Sequence, residues 1–346
     1  MSVVAVVTSS PPFAEGGHLV MARSLVATLR EAGHQADLVV TQQNRFGRNV
    51  STYLSNWMLD VGRTADGRVV DQVISLRWPS YAVRHPVHVC WLNHTMREYY
   101  DLWPRFRRQL RGPNVVKENV RRQLIRRADT WLLHRLKRRF TISRTVQRRL
   151  EQFNGVTAEA LHPPAPPRPY RCDRYEPFVF TVSRLSPLKR VDLLIRALGE
   201  PAAAGLRCRI AGDGECAGDL RALAAECGVA DRVEFLGQID DARLVEELGR
   251  CRAVAFVPFD EDYGFVTIEA FASGKPVVTT TDSGGPAELV RDGENGRLVE
   301  ATPAAGAEGL QSVMDSPGEA ERLGDRGRRL SDTMTWRGAV ERLLVV

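Results

Sequence analysis

The sequence of 346 residues predicts an α/β protein of doubly wound parallel sheets, and three observations carry that expectation. Strand, turn and helix alternate five times in the C-terminal half, and the N-terminal half opens on a βαβ pattern. A proline-rich stretch at residues 162–170 separates the two halves, each long enough for a core of its own. The expected domains are residues 1–165 and 166–330, with a last helix, 331–346, returning to the first.

In the first half, residues 3–7 read as a buried strand. A loop containing Gly16 and Gly17 leads into an amphipathic helix at 19–31, and Gly33 precedes a second strand at 36–40. Val87, Val89 and Trp91 mark another buried strand, which ends at His94. His85, His88 and His94 lack a ligand set at a recognised spacing, so no metal site is expected. Residues 101–150 hold 16 Lys and Arg against Asp101, Glu118 and Asp129. Val116, Val120, Leu124, Trp131 and Leu136 recur there near helical spacing, so one face is expected in the core with the arginines on the other. That basic face is simply solvated, or it meets an anionic membrane surface or an anionic acceptor. No helix-turn-helix, zinc or aromatic RNA-binding signature accompanies the charge, so nucleic acid is not an expected partner.

In the second half the strands are expected at 178–182, 206–211, 232–236, 253–257 and 276–280, and the helices at 190–198, 218–227, 242–248, 265–272 and 286–290. Ligands of open parallel sheets bind beyond the carboxyl ends of the strands. The loops there carry Arg184 and Lys189, Gly212-Asp213-Gly214, Gly237-Gln238-Ile239, the Asp260 to Gly264 turn, and Ser283-Gly284-Gly285. Lys189 stands out because the chain has four lysines among its 48 basic residues. An ammonium suits a phosphate as a point charge, and Arg184 can clamp two phosphate oxygens. Gly264 opens a helix whose first N–H groups, those of Phe265, Val266 and Thr267, are expected to face a phosphate, with Gly264 admitting close approach of the ligand. Glu261 precedes that helix and Glu269 lies one turn into it.

Five segments in order resemble the retaining glycosyltransferases of family 4. They are 182–198 (VSRLSPLKRVDLLIRAL), 211–214 (AGDG), 261–269 (EDYGFVTIE), 272–278 (ASGKPVV) and 284–296 (GGPAELVRDGENG). The resemblance implies a GT-B architecture, two Rossmann-like domains facing across a cleft, with a nucleoside-diphosphate sugar as donor and a hydroxyl-bearing acceptor held by the first domain. It implies that Arg184 and Lys189 hold the diphosphate, Glu261 the sugar hydroxyls, Phe265 and Val266 the sugar or phosphate through backbone N–H groups, and Glu269 the ribose. The base would lie near Gly237, Gln238 and Ile239. Gly16 and Gly17 match the family's N-terminal glycine loop, and His94 a histidine that contacts the donor sugar. Acceptor contacts are expected at Trp91, His94, Arg97, Tyr99 and Tyr100, whose rings could equally be core. Asp260-Glu261-Asp262 also fits the Asp-x-Asp signature of metal-dependent transferases, but a three-residue match is weak beside five motifs, so neither metal nor cofactor is expected. A nucleotide-sugar 2-epimerase or hydrolase and a non-catalytic, membrane-associated protein remain open.

Six cysteines without a CxxC pair suggest reduced thiols. No basic leader precedes the strand at Val3 and no apolar run reaches spanning length, so a cytoplasmic place, at most peripheral at a membrane, is expected. Oligomeric state is not legible.

Overall fold

The computed structural model describes residues 1–13, 16–43 and 49–345. Residues 14–15, 44–48 and the final Val346 lie outside the described residues. The chain forms two compact units, Met1–Pro163 with Trp336–Val346, and Pro164–Thr335.

In the first unit β1 (Val3–Ser10) leads through α1 (Gly17–Glu31) to β2 (Gln35–Gln42). Next come α2 (Asn49–Met58), β3 (Gln72–Ser75), β4 (His88–Leu92) and α3 (Trp103–Gln109). Then follow α4 (Pro113–His134), β5 (Arg138–Thr141), α5 (Arg144–Asn154) and β6 (Glu159–Ala160). The strands make a six-stranded sheet in the order β2-β1-β3-β4-β5-β6, parallel throughout. β1, β3 and β4 are buried along nearly their whole length, so their residues do not alternate between core and solvent. β1 outruns its apolar stretch into buried hydroxyl residues, of which Ser9 donates from Oγ to the Trp78 carbonyl at 2.5 Å. The histidines beside β4 are also spent locally. His88 Nε2 meets Ser75 Oγ at 2.8 Å, and the His85 ring meets the carbonyls of Val87 and Val70.

Helix α4 departs from expectation. Val116, Val120, Leu124 and Trp131 are exposed, and of the expected apolar face only Leu136, just past the helix, is buried. The helix buries Glu118, Ile125, Asp129, Leu132 and Leu133 instead. Two carboxylates can face inward because phenols meet them. Tyr53 and Tyr81 donate to Asp129 Oδ1 and Tyr100 to Oδ2, while Tyr99 donates to Glu118 at 2.7 Å. Burial nevertheless outweighs these hydrogen bonds and raises the Asp129 carboxyl to about 6.

The second unit contains β7 (Glu176–Val182), α6 (Val191–Gly199), β8 (Arg207–Ala211), α7 (Ala217–Glu226) and β9 (Val233–Gly237). It continues with α8 (Asp241–Arg250), β10 (Cys251–Ala255), α9 (Phe265–Ala272), β11 (Val277–Thr280), α10 (Gly285–Leu289) and β12 (Gly296–Val299). Its six-stranded parallel sheet runs β12-β11-β10-β7-β8-β9. Two further helices, α11 (Pro303–Met314) and α12 (Pro317–Thr333), complete it. Leu194, Ile195 and Leu198 of α6 pack with Ala307, Leu310 and Val313 of α11 in its main core. The last helix, α13 (Trp336–Leu343), belongs to the first unit, where Trp336 meets the edge of Trp91 and the buried Gln72 amide donates to the Leu343 carbonyl at 2.7 Å.

No helix among the described residues is long and apolar enough to cross a membrane.

Candidate functional site

The order of the second sheet locates the site. From β7 the chain moves outward through β8 and β9, then returns to β10 on the other side of β7, so the loops after β7 and β10 flank the point where the winding reverses. Lys189 lies in the first loop and Glu261 in the second. Their side chains meet there, Nζ to Oε2 at 2.7 Å, each about one-fifth exposed. The ammonium also stands 5.6 Å from the centre of the Phe256 ring. Arg184, in the same loop as Lys189, is exposed.

Glu261 is held by its backbone. Its N–H donates to the Ser283 carbonyl at 2.8 Å and its carbonyl accepts from Gly285 N–H at 2.9 Å. Gly284 makes this possible: at φ +74° a Cβ there would lie 2.5 Å from the Glu261 carbonyl oxygen. Arg190 fastens the same loops from below. Its guanidinium donates to the carbonyls of Val257 and Pro258, to Thr280 Oγ1 and to both oxygens of Asp282. Sequence reasoning passed over Arg190, and its adjacency to Lys189 in the motif was the only available sign.

Helix α9 begins at Gly264, with no side-chain cap. Packing, too, calls for the glycine. At φ +78° a Cβ would fall 2.6 Å from the Phe256 ring and 2.9 Å from Pro286, so internal packing demands the residue. Thr267 is corrected, because its N–H donates to the Gly264 carbonyl at 3.0 Å and its side chain is buried. The unsatisfied start of the helix is thereby narrowed to Phe265 and Val266.

Glu269 is 5% exposed. Its Oε1 takes hydrogen bonds from Arg168 and from the Tyr170 hydroxyl. Burial raises the Glu269 carboxyl while Arg168 and Tyr170 pull it down. Arg168 also reaches Asp241 Oδ1, at 2.9 Å, on the first residue of α8. The segment Gly237, Gln238 and Ile239 leads from β9 directly into that helix, so Arg168 ties it to Glu269. Arg168 and Tyr170 sit in the proline-rich stretch read as a plain linker, and nothing in its composition signalled this.

The first unit has its own reversal, between β1 and β3. Gly16 precedes α1 and Gly17 begins it. Burial first, then the neighbouring Arg77, His94 and Arg23, lower the pKa of His18 there to about 3. His94, half-buried, donates from Nδ1 to the Thr95 carbonyl at 2.7 Å. The remaining expected acceptor contacts are corrected. Trp91, Tyr99 and Tyr100 are core residues, with Trp91 Nε1 on the Leu161 carbonyl and both tyrosine hydroxyls on the carboxylates of α4. Arg97 is paired with Asp101 at 2.7 Å, both 11% exposed.

Residues 168–330 match the family model described as glycosyl transferases group 1. Among similar proteins is the D-inositol 3-phosphate glycosyltransferase of Nocardia farcinica, 37% identical over 180 residues, 49% of this chain and 40% of the relative. The lipopolysaccharide core biosynthesis glycosyltransferase LpsE of Rhizobium meliloti is 34% identical over 152 residues, 44% of this chain and 43% of the relative. The chain therefore spans less than half the length of these relatives. Among solved structures, sucrose-phosphate synthase from Thermosynechococcus elongatus superimposes with a TM-score of 0.76 at 16% identity, covering 98% of this chain and 96% of the other. Anabaena HepE in complex with UDP-glucose gives 0.68 at 16% identity, covering 98% of both chains. The architecture is GT-B, and the unit that brings Lys189, Glu261 and Glu269 together is a domain of the glycosyl transferases group 1 family.

Proposed function

We propose that the chain is a retaining glycosyltransferase that moves a sugar from a nucleoside diphosphate to a hydroxyl-bearing acceptor. The observation that carries this is the contact between Lys189 and Glu261 at the sheet's reversal point, beside the open start of α9. The demanding step is departure of the diphosphate. Arg184, Lys189 and the N–H groups of Phe265 and Val266 would stabilise the charge that grows on it. Glu261, oriented by Lys189 and Ser283, would hold the sugar hydroxyls, Glu269 the ribose, and the 237–239 segment the base. The bond from the sugar's anomeric carbon to the diphosphate breaks as the acceptor oxygen attacks on the same face, and the acceptor's proton passes to the departing phosphate oxygen. The charges on Arg184 and Lys189 suffice for this role without a metal ion. Gly16, Gly17 and His94 are the first unit's candidates for the donor. Arg23 and Arg77 beside His18 suit an anionic acceptor, and the D-inositol 3-phosphate named for the actinobacterial relative is a phosphorylated polyol of that kind.

A thermal-shift panel of UDP-, GDP-, dTDP- and ADP-sugars tests the donor reading, since a ligand that binds only the folded chain raises its melting temperature. One base should stand out, Lys189→Ala should abolish the shift without lowering the unliganded melting temperature, and NMR of the product should show the donor's anomeric configuration retained. Inverted configuration, or full turnover by Lys189→Ala, would overturn the mechanism.

A further inference from the structure

Inverting the expected face of α4 leaves a surface that sugar transfer does not explain. Val116, Val120, Leu124 and Trp131 of α4 and Val50, Leu54 and Met58 of α2 are between 51 and 79% exposed. On each helix they recur at intervals of four or seven residues, so both present an apolar stripe outward. Between the stripes lies a groove of about 680 Å³ whose walls include Leu54, Trp57, Val120, Leu124 and Trp131. Trp57 and Trp131 stand 5.4 Å apart, and Arg135 lies over both rings. Contiguous exposed apolar surface of this kind marks an interaction site.

Its charge is one-sided. The three acids of residues 101–150 all turn inward: Asp101 to Arg97 and Arg149, Glu118 to Tyr99 and Arg121, and Asp129 to its tyrosines. Helix α2 carries no acid. Lys117, Arg127 and Arg135 are exposed, with no acid of that segment to offset them. A second copy meeting this face through a two-fold axis would bring cation to cation. A polyanion without apolar parts would leave the stripes in water. An anionic bilayer satisfies both, with tryptophan and the aliphatic rim entering the interface and the cations meeting lipid phosphates.

We propose that the α2–α4 face docks on an anionic membrane surface, with Leu54, Val120, Leu124 and Trp131 inserted below the headgroups. The proposal stands independently of the transferase reading. Its test is co-sedimentation of the full chain with phosphatidylcholine vesicles that contain or lack phosphatidylglycerol. Binding should require the anionic lipid and weaken as salt rises. Leu124→Glu and Leu54→Gln, both at exposed positions, should each keep the wild-type melting temperature and bind about tenfold more weakly, by removing apolar contact on one helix and then the other. Arg127→Gln should weaken binding less than either. Lipids brominated in the acyl chain should quench tryptophan fluorescence in the wild type and spare it in Leu124→Glu. Failure of the wild type to bind anionic vesicles would overturn the proposal, as would equal binding by the folded variants. Self-association lost in Leu124→Glu without any lipid binding would also overturn it and assign the face to a second copy.

Discussion

Glu269 and Asp129 are both buried carboxylates, and their neighbours separate their consequences. At Glu269 burial raises the pKa while Arg168 and Tyr170 oppose it. In Arg168→Met the opposing charge is lost, so the carboxyl should protonate at higher pH. If Glu269 binds ribose as a carboxylate, the acid limb of the nucleoside-diphosphate affinity profile should move upward; an unmoved limb would detach Arg168 from that role. Asp129 has three phenols as its hydrogen-bond partners, and its pKa rises from 3.8 to about 6 as burial outweighs them. Because the folded value is the higher one, the stabilising contribution is complete below pH 3.8 and is lost as pH rises through about 6. Urea unfolding across that window should show the wild type losing on the order of 3 kcal/mol relative to Asp129→Asn. Parallel curves would mean that Asp129 titrates as an ordinary carboxyl.

At the scale of elements, the loops after β10 and β11 hold their positions through Arg190, which no expected substrate group touches. Removing it would leave the carbonyls of Val257 and Pro258 and the Asp282 carboxylate without that partner. Arg190→Ala should therefore cost about 3 kcal/mol of stability, increase hydrogen exchange over 258–264, and raise the KM for donor more than it lowers kcat. A variant with normal exchange in that loop would show that α9 and Gly284 hold it unaided. The strand-end loops themselves were legible because short β-rich runs alternate with helical spacing through the second half, and glycine or proline (Gly212, Gly237, Pro258) marks three of the strand ends. The partners of the site residues were less so. Arg168 and Glu269 are far apart in sequence, and the proline-rich composition around Arg168 indicates extended chain without indicating what that chain touches. Helix α4 misled for a related reason. Its apolar period was real, but periodicity assigns the apolar face inward by default, and here Tyr53, Tyr81, Tyr99 and Tyr100, drawn from other elements, make the carboxylate face the buried one. Gly264 shows the same limit at one position: its positive φ is suggested by sequence, whereas the Phe256 ring that excludes a Cβ is not.

At the scale of the molecule, the chain forms most of the first unit, then the whole of the second, and returns to the first with α13. That return is built into a buried polar contact. Gln72 on β3 is fully buried, its Nε2 donating to the Leu343 carbonyl at 2.7 Å and its Oε1 accepting from Val345 N–H at 2.9 Å. Ala339, Val340 and Leu343 are buried with it, and Trp336 packs against Trp91 of the neighbouring strand β4. Ending the chain at Thr335 would strand both ends of one amide, at about 1–3 kcal/mol for each unsatisfied group. It would also return the Leu343 and Val340 side chains to water, at about 1.5–3 kcal/mol each. Together these rival the ~5–15 kcal/mol that holds an ordinary domain folded. The truncated chain should therefore unfold in two steps, with the first unit melting early and the second close to its wild-type temperature. Hydrogen exchange would locate the difference: β3 and β4 should lose protection while β7 and β10 keep theirs. Uniform loss across both sheets would instead mean that the last helix stabilises the chain as a single cooperative body.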